Sequence, residues 1–500
     1  MQAWFRGALL SVLAFGGSWT GSIWYWRSTN RMPATGELAA YLLALPLALL
    51  MGYWLLRKGA ETWSAREPAA TGANAPSGVS AASATDTAAR LPVAGLRIAA
   101  AALRAPHGES AAALAEAMAS NKARPELDKD LHDDDGFPVM SLRADGVDEE
   151  AIAREVNQWL EDNGQAALNA RAEFWRALAL ATPVVEELAL SAAGHQRLAE
   201  AAALAGGHGN PGQASRAMNA IPMLQLAALL PPDWNGQWRD VAGRWLRQQL
   251  VLAGWPQDRV SVNTRPDQHP GPLLAALRDS AEPCIALLLA CASHIGAATI
   301  DAWAGDNLLF TSSQPQGAMP GEGAAGLLLA DEEQARLLGA GPYPLLAAVA
   351  AGSRRDDVDK ARSGECALLK QLARQALKPL EQEASARAAQ ATPPDGQPAA
   401  APDDVAPEPA VALIVADTGH RGARVMELMA ASHALQPRLD PAKDILALGN
   451  ATGQAGNAGF LAALALAWHE TQERGEPVLC IANEDPYLRC AALIRPATPA

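Results

Sequence analysis

The sequence predicts a layered α/β domain carried behind a helical membrane hairpin, and three observations lead there. Two long uncharged stretches lie before residue 60. From Leu91 onward, helix-periodic segments alternate with short, wholly apolar runs. Two further segments, 64–90 and 385–410, carry almost no large apolar side chains and so read as tethers between folded parts.

The hairpin comes first in the chain. Twenty uncharged residues stand between Arg6 and Arg27, and nineteen between Glu37 and Arg57. A helix of that length spans roughly 30 Å, the hydrocarbon thickness of a bilayer. Trp24, Tyr25 and Trp26 close the first segment, and Tyr53 and Trp54 the second, where aromatic rings gather at the membrane interface. Gly16, Gly17 and Pro46 are tolerated in lipid. A cleaved signal peptide is the competing reading, but no small-x-small cleavage site follows the first segment. Arg6, Arg57, Lys58 and Arg66 outnumber Arg27 and Arg31 of the intervening loop, so the positive-inside bias holds the soluble part in the cytoplasm. The expected organisation is a hairpin over 1–60, a linker over 61–90, a folded part over 91–384, a disordered Ala/Pro-rich insertion over 385–410 and a second folded part over 411–497.

Within the folded parts, VNQWLED, RAEFWRALALA and QWRDVAGRWLRQQLVLAG carry apolar residues at helical spacing. Strands are predicted over 284–291, 325–330, 411–416, 444–448, 478–482 and 488–494, several apolar throughout as in strands buried on both faces. A net charge of -14 with no basic stripe excludes broad nucleic-acid binding. Five cysteines without a CxxC pair read as reduced thiols and not as a zinc site or disulfide framework. Asp130, His132, Asp133, Asp134 and Asp135 lack calcium-loop spacing and read as a solvated turn. Gly206-Gly207-His208-Gly209-Asn210 reads as a loop, and Trp234, Trp238, Trp245 and Trp255 as core packing. No metal or cofactor motif emerges.

Two passages resemble the ketoacyl synthase and thiolase superfamily: MPGEGAAGLLLA (319–330) and DILALGNATGQAGNAGFLAALALAW (444–468), with 477–494 resembling the family's closing strand pair. The resemblance implies a thiolase-like layered fold of duplicated α/β halves. It implies structural roles for Gly321, Glu322 and Gly323 and, in the second loop, for Gly453 and Gly456. The family's chemistry uses a cysteine nucleophile and two histidines. Carried over, those positions are Pro266, Asp417 and Gln454, which implies a non-catalytic relative without a cofactor. A displaced nucleophile, Cys284 or Cys291 acting with His420 or His294, is the enzymatic alternative; buried packing thiols are the plain reading of both cysteines.

Hairpin, tether and inactive thiolase-like domain together resemble the adaptors of type VI secretion lipase effectors, with 91–143 as a further segment of likeness. That resemblance implies a bacterial inner-membrane protein that binds a lipase effector and a spike protein, and loads one onto the other. The superfamily also implies a homodimer through the sheet edge. A condensing enzyme or acyltransferase, and a lipid- or acyl-carrier-binding module, are the other readings.

Overall fold

The computed structural model describes residues 95–206, 211–264, 268–280, 282–339, 341–357, 366–390 and 411–497. The predicted hairpin, its linker, most of the predicted insertion and Pro266 lie outside the described residues. All described residues belong to one compact unit, Leu91–Ala500.

In chain order the first half comprises β1 (Leu96–Arg104), α1 (Ala111–Ala119), the hairpin β2 (Glu126–His132) and β3 (Pro138–Ser141), α2 (Glu149–Asp162) and α3 (Ala172–Ala193). It continues through α4 (Gln196–Gly206), α5 (Pro211–Ala220), β4 (Leu224–Leu229), α6 (Gly236–Leu252), β5 (Val260–Thr264), α7 (Pro270–Arg278), β6 (Ile285–Ser293), α8 (Ala297–Gly305), β7 (Glu322–Ala330) and α9 (Glu332–Leu338). The second half comprises β8 (Leu345–Ser353), α10 (Ala367–Gln390), β9 (Leu413–Ala416), α11 (Gly422–Leu435), β10 (Ile445–Ala447), α12 (Gly449–Thr452), α13 (Asn457–Arg474), β11 (Val478–Ala482) and β12 (Leu488–Arg495).

Among the described residues, ten strands form one sheet in the order β10-β9-β11-β12-β8-β1-β7-β6-β4-β5. Its halves repeat each other. From the outer edge inward, the first half runs β5-β4-β6-β7-β1 and the second β10-β9-β11-β12-β8. Each is therefore the third, second, fourth, fifth and first large strand of its own half. Strand senses repeat too. The outer three strands are parallel and the inner two antiparallel to their neighbours in both halves. The halves meet through a short antiparallel contact, Leu96 and Arg97 of β1 against Leu346 and Leu345 of β8. This is the duplicated α/β architecture expected from the motifs.

Burial follows the layers. Strands β6 and β7 are buried along their whole length, as apolar runs covered on both faces must be. Helix α13 is apolar nearly all round, with Ala458 to Ala467 buried, because it lies between the half-sheets and touches strands of both. One core cluster joins α13 to both halves. A second packs α2, α3 and α6 on the first half, and a third packs α10 and α11 on the second.

One expectation changes. Helix α10 runs to Gln390, taking residues 385–390 out of the predicted insertion, because Ala-rich ARAAQ extends a helix at little cost. The aspartate run is a hairpin turn in which Asp133 Oδ1 accepts the backbone N–H of Asp135 (3.1 Å) and of Phe137 (2.8 Å). No single described helix is long and apolar enough to cross a membrane.

Candidate functional site: a cleft at the strand ends

In parallel α/β layers, ligand sites gather beyond the carboxyl ends of adjacent strands, where the chain leaves the sheet. The duplicated sheet offers that place twice. In the second half, β9 and β11 end side by side and open into a cleft of about 420 Å³. Asp417 enters it from the end of β9, Glu484 from the end of β11, His269 from the start of α7, and Gln454 and Asn457 from the loop leading into α13. In the first half, β4 and β6 open into a side cavity of about 380 Å³, which shares Pro232, Gly456 and Asn457 with the cleft.

Asp417 is 7% exposed. Its Oδ1 accepts the backbone N–H groups of Asn483 (2.8 Å) and Glu484 (3.0 Å), tying the ends of β9 and β11 together. Burial, with the Glu484 carboxylate adding to it against those two hydrogen bonds, pushes the carboxyl up to about 7. Glu484 is held by Arg421 Nη2 (2.6 Å), Arg424 Nη1 (2.9 Å) and the Gly419 N–H (2.8 Å). Gln454 accepts weakly from Arg421 at 3.3 Å.

His269 is the residue that motif reasoning missed. It caps α7, its Nδ1 accepting the N–H of Gly271 at 3.1 Å, so in the neutral ring the proton sits on Nε2. The ring stacks on Phe460 with centroids 5.5 Å apart, and burial pulls its proton affinity down to about 4. The signal was available: a polar residue directly before Pro-Gly-Pro at the head of an apolar run is a helix start. Gln268 beside it accepts Asn457 Nδ2 through its backbone oxygen (3.1 Å).

The glycine motifs build the floor. A side chain at Gly321 would put its Cβ 2.0 Å from the Thr452 oxygen, so the Gly-Glu-Gly segment, extended at the start of β7 where a turn was expected, touches the 449–456 loop only because no side chain intervenes. Gly453 and Gly456 have φ of +64° and +54°, values that favour glycine. Glu322 is fully buried and receives Arg176 (Nη2–Oε1 2.6 Å), Ser293 Oγ (2.7 Å) and the Ala144 N–H (2.9 Å). It is a structural clamp, and Gly323 follows it against the Arg104 oxygen.

Asp417 and Gln454 thus share one cleft, and the chain enters it at Gln268, two residues after Pro266. Of the alternative catalytic residues, Cys291 and His294 line one cavity, while Cys284 and His420 stand outside both. Cys284 stands at the far end of β6, where its N–H donates to Asp331. His420 lies outside both cavities, edge-on to Phe310 at 5.1 Å. Cys291 lines the side cavity with His294. Burial pushes Cys284 up to about 11 and Cys291 up to about 12, whereas the nucleophile must be a thiolate. The tryptophans serve the core: Trp245 Nε1 donates to Thr182 Oγ1 and Trp255 Nε1 to the Arg259 oxygen, each at 3.0 Å.

Solved structures to which this chain is similar include ketosynthases. The ishigamide ketosynthase/chain length factor is similar over 81% of this chain and 100% of its own, at 16% identity and a TM-score of 0.45. The ketosynthase from module 1 of the bacillaene synthase of Bacillus amyloliquefaciens FZB42 is similar over 81% and 74%, at 12% identity and a TM-score of 0.49. A type II PKS ketosynthase, solved in complex with its acyl-carrier protein, is similar over 80% and 99%, at 12% identity and a TM-score of 0.42. No protein-family model matches the chain, and no curated protein matches it. The described residues form a mixed α/β domain around a large, duplicated sheet; its chemistry has to be read from its own side chains.

Proposed function

We propose that this condensing-enzyme-like domain has exchanged covalent catalysis for non-covalent binding, and that it works as a membrane-anchored adaptor. The carrying observation is at the head of α7. Gln268 and His269 line the cleft at the end of the connection from β5 to α7, whose sequence, RPDQH, contains no cysteine, serine, threonine or lysine. Opposite, Asp417 and Gln454 stand where the motif would set histidines. A cleft without a nucleophile can still hold a carbonyl or carboxyl group. His269 Nε2–H is a donor, Asp417 near neutrality both donates and accepts, and the orphan N–H groups of α13 favour partial negative charge.

In this reading residues 1–60 form the inner-membrane hairpin, and the cytoplasmic domain receives a lipase effector and a secretion spike protein. Tethering raises their effective concentration near the membrane-embedded machine. Affinity pulldown of the tagged full chain from its native membrane tests it. Recovery of a lipase-like protein and a spike component is expected, and recovery of acyl carrier protein alone would overturn the adaptor role.

A second reading, a condensing enzyme or acyltransferase with a displaced nucleophile, has one observation in its favour. Cys291 lines the cavity that shares Gly456 and Asn457 with the cleft. An acyl-thioester probe that labels the chain, and loses the label in Cys291→Ala, would establish it.

A further inference from the structure

We propose that the side cavity is a binding site for a primary ammonium group, carried by a small amine or by a lysine side chain of a protein partner. Its walls present hydrogen-bond acceptors that lack donors. Glu173 is 4% exposed, and only its Oε1 is engaged, by the Thr299 N–H (3.4 Å) and Oγ1 (3.2 Å) at the start of α8. Its Oε2 has no partner among the described residues. Space for that carboxylate exists because residue 296 is glycine: a Cβ there would lie 2.2 Å from it.

His294 supplies the second acceptor. Its Nδ1 faces the Gln454 backbone oxygen, which can only accept, so Nδ1 carries the proton and Nε2 presents a lone pair. Burial lowers the ring's proton affinity and keeps it neutral. Asp233 is already paired with Arg171, whose guanidinium lies over Trp238 at 5.4 Å. Glu173 is therefore the carboxylate in the wall without an ion-pair partner among the described residues.

Around these acceptors stand Leu230, Trp234 and Trp303, the last against His294 with ring centroids 5.0 Å apart. An ammonium group offers three donors and a positive charge, an alkyl stem suits the apolar walls, and indole faces attract cations. A carboxylate ligand would meet Glu173 as a like charge. A plain hydrocarbon chain would leave Glu173 Oε2 and His294 Nε2 buried without partners, the costly outcome for polar groups.

The test is calorimetric titration of the detergent-solubilised full chain with n-butylammonium and with Nα-acetyl-lysine methylamide, using butyrate and n-butanol as size-matched controls. At least a tenfold preference for the ammonium probes is expected, with a tenfold or greater loss in Glu173→Gln. Because Glu173 also caps α8, Ala298→Leu is the second variant; it fills the cavity from an exposed helix position and should abolish binding without loss of fold. Tighter binding of the lysine derivative assigns the source to a partner side chain, and of butylammonium to a small amine. Equal binding of butyrate or butanol, or unchanged binding in Ala298→Leu, overturns the proposal.

Discussion

The cleft of the second half and the side cavity of the first lie at equivalent places. Each opens beyond two parallel strands, and each borrows the start of α13. Their chemistry differs. In the cleft, Glu484 is neutralised by Arg421 and Arg424, and Asp417 responds to burial by holding its proton. In the side cavity, Glu173 keeps an unengaged oxygen and His294 holds its Nδ1 on the Gln454 oxygen, leaving Nε2 as the ring's acceptor. Duplicating the strand order decides where cavities form; the loops beyond the strands decide what they take. Pocket position is thus set by backbone topology, and what a pocket can do by a few side chains.

The sharpest way to break this comparison is Glu322→Ala, which removes the clamp of the first half only. It leaves Arg176, a cation 5% exposed, with Glu149 (3.1 Å) as its remaining ion-pair partner, at a cost of about 3 kcal/mol in the unfolding free energy measured by denaturant titration. Gly321→Ala should come next at roughly 3 kcal/mol, since its Cβ meets backbone and not a flexible side chain. It should also perturb both cavities together, because they share the loop it displaces. Gly236→Ala, with nothing within 4 Å, is the matched control expected to leave both unchanged.

Asp417→Asn separates the cleft from its counterpart by pH. The carboxyl is raised to about 7 in the folded chain against about 3.9 when unfolded. Its contribution is therefore full below pH 4 and falls as pH rises through 7, at about 1.4 kcal/mol per unit. The asparagine variant should equal the parent at pH 4 and exceed it in melting temperature at pH 8; an unchanged difference across that range would refute the buried, proton-holding Asp417. His269 runs the other way. Lowered to about 4 from the ordinary value near 6.5, it costs stability as pH falls through that window, so an acid limb should survive in the variant. The smallest effect concerns thiols. Cys284, Cys291, Cys480 and Cys490 are buried and Cys366 is half-buried, so a thiol reagent should modify one cysteine quickly in the native chain and none quickly in Cys366→Ser.

Much of the second half was legible in the sequence. Predicted strand 478–482 coincides with β11, and 411–416, 444–448 and 488–494 fall on β9, β10 and β12 within two residues, because valine, isoleucine and leucine runs between glycine and proline punctuation leave few alternatives. Strands β1 and β8 were not legible. LRIAAAALR and LLAAVAAGS are rich in alanine, which by itself favours helix; only pairing with β7 and β12 makes them strands. The sequence alone determined the alternating architecture and the glycine positions of the 449–456 loop, since each is a local matter of side-chain size or period. Tertiary structure decided that Asp417, Gln454 and His269 share one cleft, that Cys284 and His420 stand apart, and that Glu173 and His294, distant in the chain, line one cavity. Those are consequences of long-range strand pairing and burial, which no local pattern encodes.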